Sequence, residues 1–146
     1  MYILITGGFD PLHSGHIYAF TEAARIGKVI VAPNSDDWLI RKKKSFLLPR
    51  SERVAIIRSL KMVEDTISSW DDEDDTSCGA IKDFYARYRS KGTLLFANGG
   101  DRGPLGANES EVKLCEELGI FTLYGLGQKA QSSSKFLADY VHRLIK

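Results

Sequence analysis

At 146 residues with 43% hydrophobic side chains, the chain is long enough for one domain with a sizeable core. Its 20 Lys and Arg against 19 Asp and Glu leave a formal net charge of +1, which excludes a general electrostatic pull toward nucleic acid or a membrane surface. Any anion site is therefore local, and the expectation is a single domain over residues 1–146 in the cytoplasm, since neither a leader pattern nor a membrane-length apolar run is present.

The first apolar, branched run, residues 2–6, reads as a buried strand, and a glycine-rich turn carries it into a helix over 15–26. A second strand over 28–32 leads into the polar stretch 34–44, which ends in Arg41-Lys42-Lys43-Lys44. A helix over 51–62, a strand over 66–70 and an acidic loop, Asp71-Asp72-Glu73-Asp74-Asp75, come next. Then follow a helix over 77–90, a strand over 93–97 and the turn Gly99-Gly100-Asp101. Asn108 and Glu111 make a capping-box-like start for a helix over 108–118. A strand over 120–124 precedes the last helix, 132–145, which is entered through Ser132-Ser133-Ser134.

This alternation predicts right-handed βαβ crossovers and a doubly wound, Rossmann-like α/β fold: a five-stranded parallel sheet with helices on both faces. Ligands in such sheets sit beyond the carboxyl ends of the strands. The polar or glycine-rich segments 7–16, 34–44, 98–106 and 125–134 each follow a strand, so they are expected to converge on one crevice.

Chemistry concentrates after the first strand. Gly7 and Gly8 let backbone approach a ligand closely, and Pro11 stiffens the loop. His13 and His16 flank Gly15, and with His16 in the first helical turn both imidazoles and the helix N–H groups face one anion. That arrangement suits hydrogen bonding to phosphoryl oxygens as charge builds in a transition state. One histidine at a helix start reads as a cap; two around a glycine, directly after a strand and a double glycine, read as a triphosphate site. A zinc reading lacks a third and fourth ligand, since His142 lies in the last helix. The pattern is neither a P-loop nor a dinucleotide fingerprint. Cys78 and Cys115 have no zinc or disulfide spacing and read as buried free thiols.

The run Gly8-Phe9-Asp10-Pro11-Leu12-His13-Ser14-Gly15-His16 resembles the nucleotidyltransferases marked by a His-x-Gly-His motif, often called cytidylyltransferase-like. Asn34-Ser35-Asp36, Glu52-Arg53, Gly99-Gly100-Asp101 and Ser132-Ser133-Ser134 match in order, so the resemblance covers nearly the whole chain. It implies transfer of AMP or CMP from a nucleoside triphosphate to a phosphorylated acceptor, with release of pyrophosphate, with Mg²⁺ and without a covalent intermediate. It further implies catalytic roles for His13, His16 and Lys43, and nucleotide contacts from Gly8, Phe9, Asp10, Gly15, Gly99, Gly100, Asp101, Ser132, Ser133 and Ser134. Family habit implies a homodimer whose partners are small molecules, with neither nucleic acid nor membrane involved.

These segments also make physical sense alone. The basic cluster 41–44 supplies flexible charges for β and γ oxygens; spacing from Asn34 and Arg53 favours Lys43, with Lys42 and Lys44 as rivals. Three serines at a helix start form a second anion cradle, and Asp101 can accept from a ribose or base. Arg53 is expected to clamp the acceptor phosphate, an ion pair with Glu52 or Asp36 being the alternative. Trp38, Trp70, Phe84, Tyr85 and Tyr88 read as core or interface.

For the acceptor the resemblances diverge. Phe9-Asp10-Pro11 is similar to adenylyltransferases acting on nicotinamide mononucleotide or phosphopantetheine. Asn34-Ser35-Asp36, Asp75-Thr76 and Leu137 are similar to the domain that adenylylates heptose 1-phosphate, and the length and Glu-Arg helix to glycerol-3-phosphate cytidylyltransferase. A sugar or polyol phosphate is the expected acceptor. A mononucleotide or phosphopantetheine acceptor, and a non-catalytic nucleotide sensor, are the alternatives.

Overall fold

The computed structural model describes residues 1–97, 107–126 and 133–145, with side chains in the last helix from 135 onward. Strands β1 (Tyr2–Gly7), β2 (Lys28–Pro33), β3 (Val63–Thr66), β4 (Leu94–Ala97) and β5 (Phe121–Leu123) form one parallel sheet in the order β3-β2-β1-β4-β5. The described helices are α1 (Ser14–Ala24), α2 (Asp36–Lys43), α3 (Arg50–Arg58), α4 (Cys78–Tyr88), α5 (Glu109–Leu118) and α6 (Ser133–Leu144).

Strand periodicity divides the core. In β1, Ile3 and Ile5 join Val29 and Val31 of β2 against Phe20 and Ala23 of α1 and Ile57 of α3. Leu4 points the other way and joins Ile30 and Phe96 against Ile81 and Phe84 of α4 and Cys115 of α5. Helices thus cover both faces, as the alternation predicted. β1 is central, in register with β2 at Ile3↔Val29 and with β4 at Leu4↔Phe96. The sheet therefore winds outward in both directions from β1, and the crevice of a doubly wound sheet falls at that strand's carboxyl end.

Two elements differ from the sequence expectation. Strand β3 covers Val63–Thr66 rather than 66–70. Val63-Glu64-Asp65-Thr66 looks too polar for a buried strand, but β3 is an edge that pairs only with β2, so one side tolerates charge. Ile67 and Trp70 instead drop into the core, where Trp70 Nε1 donates to the Pro33 carbonyl at 2.9 Å. The second difference is α2, inside the stretch read as a polar loop. Ser35 caps it by accepting from the Trp38 N–H at 3.0 Å. Asp36 and Asp37 lie in its first turn and Arg41, Lys42 and Lys43 in its last, complementing the helix dipole, and Lys44 closes it at φ 68°. Only Leu39 is buried, so no apolar stripe announces the helix.

Candidate phosphate site

The loop after β1 brings the motif together. A Cβ on Gly7 would stand 3.0 Å from the Phe9 ring, and one on Gly8 would stand 3.0 Å from Leu39 and 3.5 Å from Trp38, so a side chain at either position would need its neighbour to give by a few tenths of an ångström. Phe9 takes φ 52° and its buried ring meets His16 edge-on, with centroids 5.0 Å apart. The Asp10–Pro11 peptide bond is cis.

His13 and His16 cap α1 reciprocally. The Gly15 N–H donates to His13 Nδ1 and the His13 N–H donates to His16 Nδ1, both at 3.1 Å. A neutral imidazole that accepts at Nδ1 carries its proton on Nε2. The rings stack with centroids 3.7 Å apart and planes 21° apart, which brings together two imidazoles that each carry an Nε2–H donor. Burial first, then His13 and Lys43, push His16 down to about 4; burial and Lys43 also lower His13. Both rings are therefore neutral at pH 7, and capping uses Nδ1 of each side chain and leaves its Nε2–H to other partners.

The charge of Lys43, at the end of α2, also disfavours protonation of both rings. Lys42 instead lies over the Trp38 ring at 6.0 Å, and Lys44 is the left-handed cap. Among the three candidate lysines, the Lys43 charge is thus the one felt at the histidines. Phe136, in the first turns of α6, lies with its ring centroid 5.8 Å from that of His13. That contact brings the start of α6 to the crevice.

Arg53 and Asp10 sit differently from what the motif suggests. The Arg53 side chain is fully covered: Nε donates to the Leu48 carbonyl at 2.9 Å, Nη1 to Gly8 and Asn34 at 2.8 and 2.7 Å, and Nη2 to Asp36 at 2.7 Å. Its fork is spent on the crevice floor rather than open to an acceptor phosphate, and the ion pair with Asp36 forms. Asp10, also buried, accepts from the Leu47 and Leu48 N–H groups at 2.6 and 2.8 Å and so ties down the loop that follows α2.

Asp72 was not foreseen. Its carboxylate accepts from the Ser35 N–H and hydroxyl, each at 2.7 Å, and from the Asn34 amide at 3.2 Å. Burial pushes the group up, but these bonds and the Arg50 charge more than offset it and hold the carboxyl below its ordinary value. Arg41 in the last turn of α2 donates to the Asp72 carbonyl at 2.8 Å and to Asp75 at 3.0 and 3.1 Å. The acidic loop thus grips α2 at both ends and splints the helix that presents Lys43. Its only signal in sequence is the density of carboxylates.

Gly99, Gly100, Asp101 and Ser132 lie outside the described residues. Ser133 and Ser134 open α6, and their side chains also lie outside what is described. Among the described residues no group of three His, Cys, Asp or Glu could hold a metal ion. The donors around the histidines are N–H groups and a cation, so they fit a Mg²⁺ carried by phosphate oxygens rather than one held in a protein cage.

The loop after β1 thus stacks two neutral imidazoles, and the charge of Lys43 at the end of α2 acts on both, which makes this end of the parallel α/β sheet a candidate anion site. The cytidylyltransferase-like family model matches residues 4–100, and the chain belongs to that family. It is 31% identical over 71 residues to an FAD synthase of Methanocella paludicola, covering 49% of this chain and 51% of that protein. An FAD synthase of Methanolacinia petrolearia is 36% identical over 62 residues, or 42% of each chain. The chain thus spans about half the length of the curated relatives it matches. A lipopolysaccharide core biosynthesis protein from Thermoplasma volcanium shares the fold, with a TM-score of 0.63 at 23% identity over 85% of this chain and 93% of that one.

Proposed function

We propose that the chain transfers AMP or CMP from a nucleoside triphosphate to a phosphate monoester and releases pyrophosphate. The observation that carries this is the stacked histidine pair, Nδ1 engaged and Nε2–H available, beside Lys43. An acceptor phosphate oxygen forms a bond to the α-phosphorus as the bond to the β-phosphate oxygen breaks, and pyrophosphate leaves with that electron pair. His13 and His16 donate hydrogen bonds to the oxygens on which charge builds, and Lys43 neutralises the departing group. Mg²⁺ bound to the phosphates supplies further charge neutralisation. Gly99, Gly100, Asp101 and the serines 132–134 complete the nucleotide site in this reading.

The acceptor is a sugar or polyol phosphate. A second reading, FMN as acceptor, draws on the FAD synthase relatives. The working form in this proposal is a homodimer in the cytoplasm; no described helix is long and apolar enough to cross a membrane. The test is a pyrophosphate-release screen crossing ATP and CTP with sugar phosphates, polyol phosphates and FMN. At least one pair is expected to turn over, and His16→Ala to lower kcat roughly 100-fold or more. Nucleotide binding without turnover of any pair would favour a sensor.

A further inference from the structure

With Arg53 buried, an acceptor phosphate needs another cation, and the group attached to that phosphate needs a wall. The strand order limits where these lie. The segments proposed to hold the nucleotide follow β4 and β5, on one side of β1, whereas α2 follows β2 on the other. The acceptor therefore approaches along α2.

Trp38 stands there. It is half-buried and belongs to neither core cluster, unlike Trp70, which is held in the core by its bond to Pro33. One edge of its indole reaches Gly8 at the phosphate loop. Lys42, exposed and one turn further along the same helix, carries its ammonium 6.0 Å from the ring centroid. Trp38 and Lys42, four residues apart, share one face of the helix.

We propose that Trp38 and Lys42 form the acceptor subsite: the indole takes the flat face of a ring-bearing phosphate monoester and the Lys42 ammonium takes its phosphate. The ring is a pyranose, stacking through its C–H face, or a heteroaromatic plane, stacking through its π-face. An acyclic polyol phosphate offers no such face and is a poor acceptor. This sharpens the transferase reading and rests on it.

The experiment compares a pyranose 1-phosphate, FMN and glycerol 3-phosphate as acceptors for wild type, Trp38→Phe, Trp38→Ala and Lys42→Gln, with calorimetric binding of each acceptor in parallel. At least one ring-bearing acceptor should have a KM lower than glycerol 3-phosphate by about tenfold, and which one identifies the ring. Trp38→Ala should weaken that acceptor about tenfold in KM and Kd and leave the nucleotide KM within about twofold, while Trp38→Phe retains most of the affinity. Lys42→Gln should weaken all three acceptors alike. Equal affinity in wild type and Trp38→Ala, a preference for glycerol 3-phosphate, or no binding of either ring-bearing phosphate overturns the subsite. Acceptor binding that depends on Trp38 without pyrophosphate release from any pair would remove the transferase reading and leave the subsite standing.

Discussion

His13 and His16 hold the start of a helix with one nitrogen and leave the other for a ligand, so fold and chemistry can be separated at position 13. Asparagine is among the best N-caps but has no imidazole. His13→Asn should therefore keep its urea midpoint close to wild type while kcat falls roughly 100-fold. His13→Ala should lose that activity and also about 1 kcal/mol of stability. A His13→Asn protein with full activity would reduce the ring to a cap. The same geometry sets a pH dependence. His16 is held near 4 in the folded chain against an ordinary 6.5, so between those values the unfolded chain binds more protons. Stability should be full above pH 6.5 and fall as the pH drops toward 4. Urea titrations at several pH values should show that slope, and His16→Asn should flatten it; an unchanged slope would place the proton uptake elsewhere.

Helix α2 shows how one element was hidden from sequence. Its single buried residue, Leu39, gives no periodic signal, and a run of four basic residues reads as solvated loop. What makes it a helix is the Ser35 cap and a splint from residues 37 positions away, and long-range partners leave no local pattern. Asp72→Ala leaves the Ser35 and Asn34 donors unpaired and should cost about 2–3 kcal/mol. Freed from its splint, α2 should carry Lys43 away from the histidines, so NMR titration should show the His16 pKa rising and kcat should fall. A destabilised variant whose His16 titrates as in wild type would mean the loop supports the fold but does not place the lysine.

For the molecule as a whole, the parallel sheet and the place of the histidine loop after β1 were legible, because five apolar runs alternating with helical stretches leave few topologies. The roles of Asp10 and Arg53 were not. A carboxylate or guanidinium in a motif invites a ligand, yet Asp10 answers two N–H groups 37 and 38 residues on, and Arg53 a carbonyl 45 residues back. Those partners meet only when the tertiary fold exists. Strand β3 was misplaced for the related reason that an edge position excuses polarity no single segment can explain.

The buried Arg53 has a kinetic meaning as well. Its fork fastens Gly8 after β1, Asn34 after β2, Asp36 in α2 and Leu48 before its own helix. Parting any one of those tethers leaves a buried guanidinium donor unpaired, which is costly. The floor of the crevice therefore has no private route to opening: amide protons there should exchange with solvent at the rate of global unfolding, while those of α6, where every residue of described side chain is at least partly exposed, exchange far faster.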